Sequence, residues 1–229
     1  MALAVVALIG VAVGTVALVA PAVAATACPQ CYGLSALDGS IYADRDDERY
    51  PQMLKGADER ITGFYGTRMS HPRVLICATP ACYRRLGGGG EKGQAIRNWS
   101  LMLSPAGANE TIATHELSHV EFHERLGSAR GKVPHWFDEG LAVLISDDSR
   151  YLKPSSEGDR CRLPYEQASP IVDSDWRAMT AGGVDRPYLQ AACVVSRWTS
   201  AHGGPAAVLD LIARLRDGAD FQTTVAVPR

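Results

Sequence analysis

The sequence predicts a single α+β domain, and three observations point there. Short β-like runs fall early, at residues 73–77 and 98–103, while amphipathic helical patterns dominate later. No internal repeat and no linker-like stretch divides the chain. The composition is that of a folded protein, with 46% hydrophobic and 21% charged residues. With 23 Lys+Arg against 25 Asp+Glu, the net charge of -2 lacks the basic surplus a nucleic-acid groove needs. No nucleic-acid partner is therefore expected.

The hydrophobic residues are unevenly placed. Residues 1–27 hold 22 of them and no charge, so all 48 charged side chains fall in the remaining 202 residues. Two small-x-small sites, Ala22-Val23-Ala24 and Ala25-Thr26-Ala27, close the apolar run. Residues 1–27 therefore read as a secretory signal peptide, although no positive n-region precedes the run. The competing reading is an uncleaved membrane anchor, because the run is long enough to span a bilayer. Lipid attachment at Cys28 is a third option with a poor recognition sequence. The domain proper is residues 28–229, expected in the periplasm or outside the cell.

Export implies an oxidising compartment, and six cysteines fit it. Cys161 is expected to pair with Cys193, and Cys28, Cys31, Cys77 and Cys82 among themselves. Two alternatives are a four-cysteine zinc cluster and a redox pair at Cys28-Pro29-Gln30-Cys31.

Residues 44–65 show one apolar stripe, Tyr50, Met53, Leu54, Ala57, Ile61 and Phe64, which predicts a helix closed by Gly66. Residues 73–77 and 98–103 are strand candidates. Between them Gly87 to Gly90 form a glycine-rich loop, read as a hairpin connection, since no Gly-Lys-Ser/Thr follows. A helix is predicted over 109–126, with Asn109 as cap, Glu110 at its positive end and Gly127 after it. Asn98-Trp99-Ser100 and Asn109-Glu110-Thr111 match the glycosylation sequon by chance. A helix over 134–146 has Pro at its first turn. Residues 147–187 read as irregular, and helices follow over 188–201 and 205–216.

The chemistry concentrates in His115-Glu116-Leu117-Ser118-His119, an H-E-x-x-H pentapeptide inside the predicted 109–126 helix. Residues four apart share a helix face, so both imidazoles can take one metal ion. Glu116 can reach a metal-activated water without ligating the metal. By composition alone the pentapeptide should arise by chance about once in a hundred such chains. Zinc catalysis needs a third protein ligand, and Glu139 is the candidate, 20 residues after His119 on the next helix. A carboxylate among Trp136, Phe137, Leu141 and Val143 is costly unless paired or metal-bound. His123 lies one turn beyond His119, about 6 Å along the axis, too far for the same ion. It reads as a polar face residue. His135 is a weaker candidate for a cleft wall. His71 and His202 read as ordinary surface or capping residues.

These motifs, with Trp136-x-x-Glu139-Gly140-x-Ala142, resemble the gluzincin metallopeptidases, most closely the bacterial peptidase MA-like group. The resemblance covers roughly residues 98–225 and implies a zincin-like domain. Such a domain has a small N-terminal sheet with helices and a mainly helical C-terminal half. It implies zinc held by His115, His119 and Glu139, with Glu116 as general base. The segment Arg186-Pro187-Tyr188 resembles the tyrosine-bearing helix start of aminopeptidase-like members, which makes Tyr188 the candidate oxyanion stabiliser. One position departs from the pattern. Thermolysin-like members carry an aspartate four residues after the glutamate ligand, bracing a histidine, and Val143 stands there. Asp138 and Asp147 are weak substitutes.

The expected activity is zinc-dependent hydrolysis of a peptide or protein substrate. Trp99, Leu101 and Leu103 are expected to form an edge strand that pairs with extended substrate. The aminopeptidase motif Gly-x-Met-x-Asn is absent from residues 104–109, which favours endopeptidase action or an unusual substrate. The competing readings are a non-catalytic, zinc-stabilised binding module of the cell envelope and a redox protein using Cys28 and Cys31.

Overall fold

The computed structural model describes residues 21–164, 176 and 185–225. The first 20 residues of the apolar leader lie outside them, as do parts of the stretch read as irregular. The described residues form an α+β structure with a five-stranded mixed sheet. The elements in order are α1 (Pro21–Ala27), a 3-10 turn (Pro29–Tyr32), β1 (Ser35–Asp38), β2 (Ile41–Ala43), α2 (Arg49–Tyr65) and β3 (Arg73–Ile76). Then come α3 (Pro80–Arg85), β4 (Gly93–Ile96), β5 (Ser100–Leu103), α4 (Glu110–Leu126) and a 3-10 turn (Gly127–Lys132). The last helices are α5 (His135–Ser146), α6 (Arg186–Ala201), α7 (Pro205–Arg216) and α8 (Phe221–Thr224).

The strand order is β1-β2-β3-β5-β4. β2, β3 and β5 run parallel, and β1 and β4 join them antiparallel. Alternate side chains leave opposite faces of a strand. Val74, Ile76, Leu101 and Leu103 accordingly enter the main core with Tyr50, Leu54 and Ile61 of α2 and Ile112 and Leu117 of α4. Leu75 and Met102 point the other way, into a second cluster with Ala25, Cys82, Tyr83 and Leu86.

This arrangement corrects the edge-strand expectation. β5 is paired on both sides, and Leu101 and Leu103 are fully buried. An unbroken apolar run has no polar face to give to water, and that is the pattern of a strand covered on both faces. The edge strand next to β5 is β4, whose Gly-Gln-Ala-Ile sequence carries little strand signal. Gly87 to Gly90 correspondingly join a helix to a strand rather than two strands of a hairpin. The helix predicted over 44–65 begins at Arg49, because residues 41–43 pair in the sheet. Asp44 there accepts the Ala78 N–H at 2.7 Å.

All six cysteines are disulfide-bonded, as Cys28–Cys31, Cys77–Cys82 and Cys161–Cys193. No free thiolate remains for a four-cysteine zinc cluster. The bonds are consistent with an extracytoplasmic protein. Among the described residues no helix is long and apolar enough to cross a membrane. Cys161–Cys193 spans 32 residues and ties the chain after α5 to α6. Loop-closure entropy alone assigns such a cross-link about 4 kcal/mol. The Cys161→Ala/Cys193→Ala protein should melt about 10 °C lower by scanning calorimetry.

Candidate metal centre

α4 is built to hold its side chains in fixed positions. Asn109 Oδ1 accepts the Ile112 N–H at 3.1 Å, Glu110 occupies the first turn, and the Gly127 N–H closes on the His123 carbonyl. Ala113, Leu117, Phe122 and Leu126 anchor one side of the helix in the core. His115 and His119 emerge one turn apart on another. α5 lies against α4 and delivers Glu139. Gly140 lets α6 come close to α5: a Cβ there would sit 2.5 Å from the Ala191 carbonyl oxygen.

The two imidazoles and the carboxylate converge. His115 Nε2 lies 3.1 Å from His119 Nε2 and 3.2 Å from Glu139 Oε2, and His119 Nε2 lies 3.6 Å from Glu139 Oε2. Tetrahedral zinc, with bonds of about 2.0–2.1 Å, places neighbouring ligand atoms roughly 3.3 Å apart. The three donors therefore already have metal-ligand spacing. Their chemistry fits as well. His119 Nδ1–H donates to Asp138 Oδ1 at 2.8 Å, which turns the Nε2 lone pair into the site. Two imidazole nitrogens and a carboxylate oxygen facing one another at this spacing could hold a metal ion between them.

Electrostatics agrees with that reading. Burial alone would raise the Glu139 pKa, yet the two imidazoles outweigh it and hold the carboxyl at about 2. Burial works against a charged His119, but Asp138 and Glu139 raise its proton affinity well above the usual histidine range. Both shifts describe a pocket that favours positive charge at its centre.

Asp138 stands in for the bracing group absent at Val143, and it holds His119. Its second oxygen accepts His123 Nε2–H at 2.7 Å, so one carboxylate fixes two rings of α4. Val143 is buried against Tyr151, Leu152 and Ala192 and offers nothing polar. His115 Nδ1 is correspondingly buried without a hydrogen-bond partner among the described residues. Asp147 pairs with Arg160 instead. Outer carboxylates of this kind commonly contribute 10–100-fold to metal affinity. Asp138→Ala should weaken metal binding at this site by about that factor in a competition titration. An unchanged affinity would remove the bracing role.

Glu116 stands beside the triad and outside it. Its pKa is raised by burial, with Glu139 adding to the rise, and the neighbouring imidazoles and the Ala95 N–H moderate it. The side chain lies against the edge strand. A Cβ on Gly93 would come within 2.7 Å of Glu116 Cγ, so only glycine admits the carboxylate there. Tyr188, in the first turn of α6, completes the wall. Its ring stacks on Tyr151 at 5.5 Å and meets the edge of Trp176 at 5.3 Å. Burial and the nearby carboxylates push its pKa up, so the phenol keeps its proton and can donate.

These groups line an open cleft of about 280 Å³, formed by Gly93, Gln94, Ala95, His115, Glu116, His119, His123, Asp138, Glu139 and Tyr188. The candidates Glu116, Tyr188, His115, His119 and Glu139 are thus brought together. Trp99, Leu101, Leu103 and His135 are not on its wall. Trp99 is exposed and lies under Arg97, with the guanidinium 5.3 Å from its ring. His202 caps α6, its Nδ1–H donating to the Trp198 carbonyl at 2.7 Å. Residues 93–95 and His123 are the parts of the site that sequence reading missed. No family model, curated protein or solved structure matches the chain.

Proposed function

We propose that the protein is an exported zinc-dependent metallopeptidase of gluzincin type, acting in the periplasm or outside the cell. The observation that carries this reading is the convergence of His115 Nε2, His119 Nε2 and Glu139 Oε2 beside a buried carboxylate outside that triad, Glu116. His115, His119 and Glu139 would hold the metal. When bound, zinc would supply Lewis-acid activation of a water and of the scissile carbonyl.

The remaining roles belong to the chain itself. Glu116 takes a proton from the attacking water, and its raised pKa suits passing that proton to the leaving amine. Tyr188 donates its phenolic proton as a hydrogen bond to the developing oxyanion. Among the described residues β4 has one unpaired edge, which offers an extended peptide a ladder of backbone groups next to Glu116. A peptide substrate thus reaches the reacting groups along β4 rather than along β5.

Metal removal tests the reading. The purified protein should carry about one zinc and hydrolyse a casein or mixed-peptide substrate. Dialysis against a chelator should abolish hydrolysis, and added zinc should restore it. A protein that binds zinc tightly but cleaves no peptide would favour the non-catalytic module instead.

A further inference from the structure

The A-x-A sequences that mark residues 1–27 as a leader lie inside the folded domain. α1 packs on the outer face of the sheet. Ala25 is fully buried, in one cluster with Leu75 and Met102 of the sheet and Tyr83 and Leu86 near α3. Thr26 Oγ1 shares a buried hydrogen bond with Ser100 Oγ of the central strand β5, at 2.6 Å. Arg73, at the start of β3, donates to the carbonyls of Thr26 and Ala27 at 2.5 and 3.1 Å. At the other end of the helix, Gly87 approaches so closely that a Cβ there would lie 2.7 Å from Pro21 Cγ.

Each cleavage site would damage this packing. A cut after Ala27 removes the helix, takes away the hydrogen-bond partner of Ser100 Oγ and exposes the apolar face around Met102 to water. A cut after Ala24 creates an α-ammonium on Ala25, which in the intact domain is fully buried in an apolar cluster, and a charge there works against that packing. The small residues have a second reason to be small, because a short alanine helix can lie close against a sheet. Cys28 is committed to Cys31 and so has no thiol for a lipid.

We propose that Pro21–Ala27 belongs to the mature domain, so that the exported protein begins at Pro21 or upstream of it and neither A-x-A site is processed. Intact-mass and N-terminal analysis of the protein from an exporting host reads this directly. A start at Pro21 or earlier supports the proposal, and a start at any later residue overturns it. A second measurement concerns packing. In the full chain, Ala25→Leu overfills the second core cluster and should lower Tm by roughly 5 °C. An unchanged Tm would mean that α1 does not pack on the sheet, which also overturns the proposal.

Discussion

Replacing Glu116 by Gln should lower peptide hydrolysis by about 10²–10⁴-fold while leaving the metal content unchanged. The exchange is nearly isosteric, and a carboxamide oxygen can still accept the Ala95 N–H that faces this side chain. The packing against Gly93 is therefore kept. What disappears is a group able to take a proton from water and return it to the amine. The loss should fall on kcat with little change in KM, since Glu116 is assigned to proton transfer and not to ground-state binding. His115, His119 and Glu139 are untouched, so zinc should stay near one equivalent. Full activity in Glu116→Gln would end the assignment of the base. Loss of zinc together with activity would show Glu116 to be part of the metal site, contrary to its place outside the triad.

The parts of this site that could be read from sequence share one physical property: they are local. The α4 helix is announced by a cap, a first-turn acid and a terminal glycine within 19 residues, and the structure keeps all three. The His115–His119 spacing is a property of any helix. Asp138 was harder to place, because its role depends on how α5 crosses α4. Neighbouring residues on a helix point about 100° apart, so Asp138 and Glu139 reach different atoms of the same ring. Strand order was not legible. β1, β2 and β4 are three or four residues long, and their placement is decided by what covers them. The apolar run Leu101-Met102-Leu103 signals burial on both faces, which marks an interior strand and not the expected edge. Tyr188 depends for its setting on Tyr151, 37 residues away in the chain. An alanine-rich helix suited to docking on a sheet and an alanine-rich cleavage region are written in the same residues.

Glu121→Ala should destabilise the protein by about 3–5 kcal/mol, lowering Tm by roughly 6–20 °C. Glu121 is a fully buried carboxylate in the middle of α4, between His119 and His123. It accepts the Met69 N–H, the Ser70 N–H and hydroxyl, and Arg125 Nε–H, all at 2.7 to 3.0 Å. These contacts fasten the segment before β3 to the helix. Arg125 continues the network, donating to the Thr67 carbonyl at 2.5 Å and lying 4.4 Å over the Tyr65 ring. The hydrogen bonds hold the Glu121 carboxyl below its usual range although burial pulls the other way. Truncation therefore strands a buried guanidinium and two backbone donors, which costs far more than the pair itself contributes. A paired exchange separates those terms. In Glu121→Leu/Arg125→Leu no charge is left unpaired, so much of the lost Tm should return, with a residual deficit from the Met69 and Ser70 N–H groups. If the double variant were no more stable than Glu121→Ala, the unpaired charge would not be the source of the loss. If Glu121→Ala melted like the parent, this side of α4 would contribute no more than a surface would, and the rigidity of the helix under His115 and His119 would have to come from its apolar contacts alone.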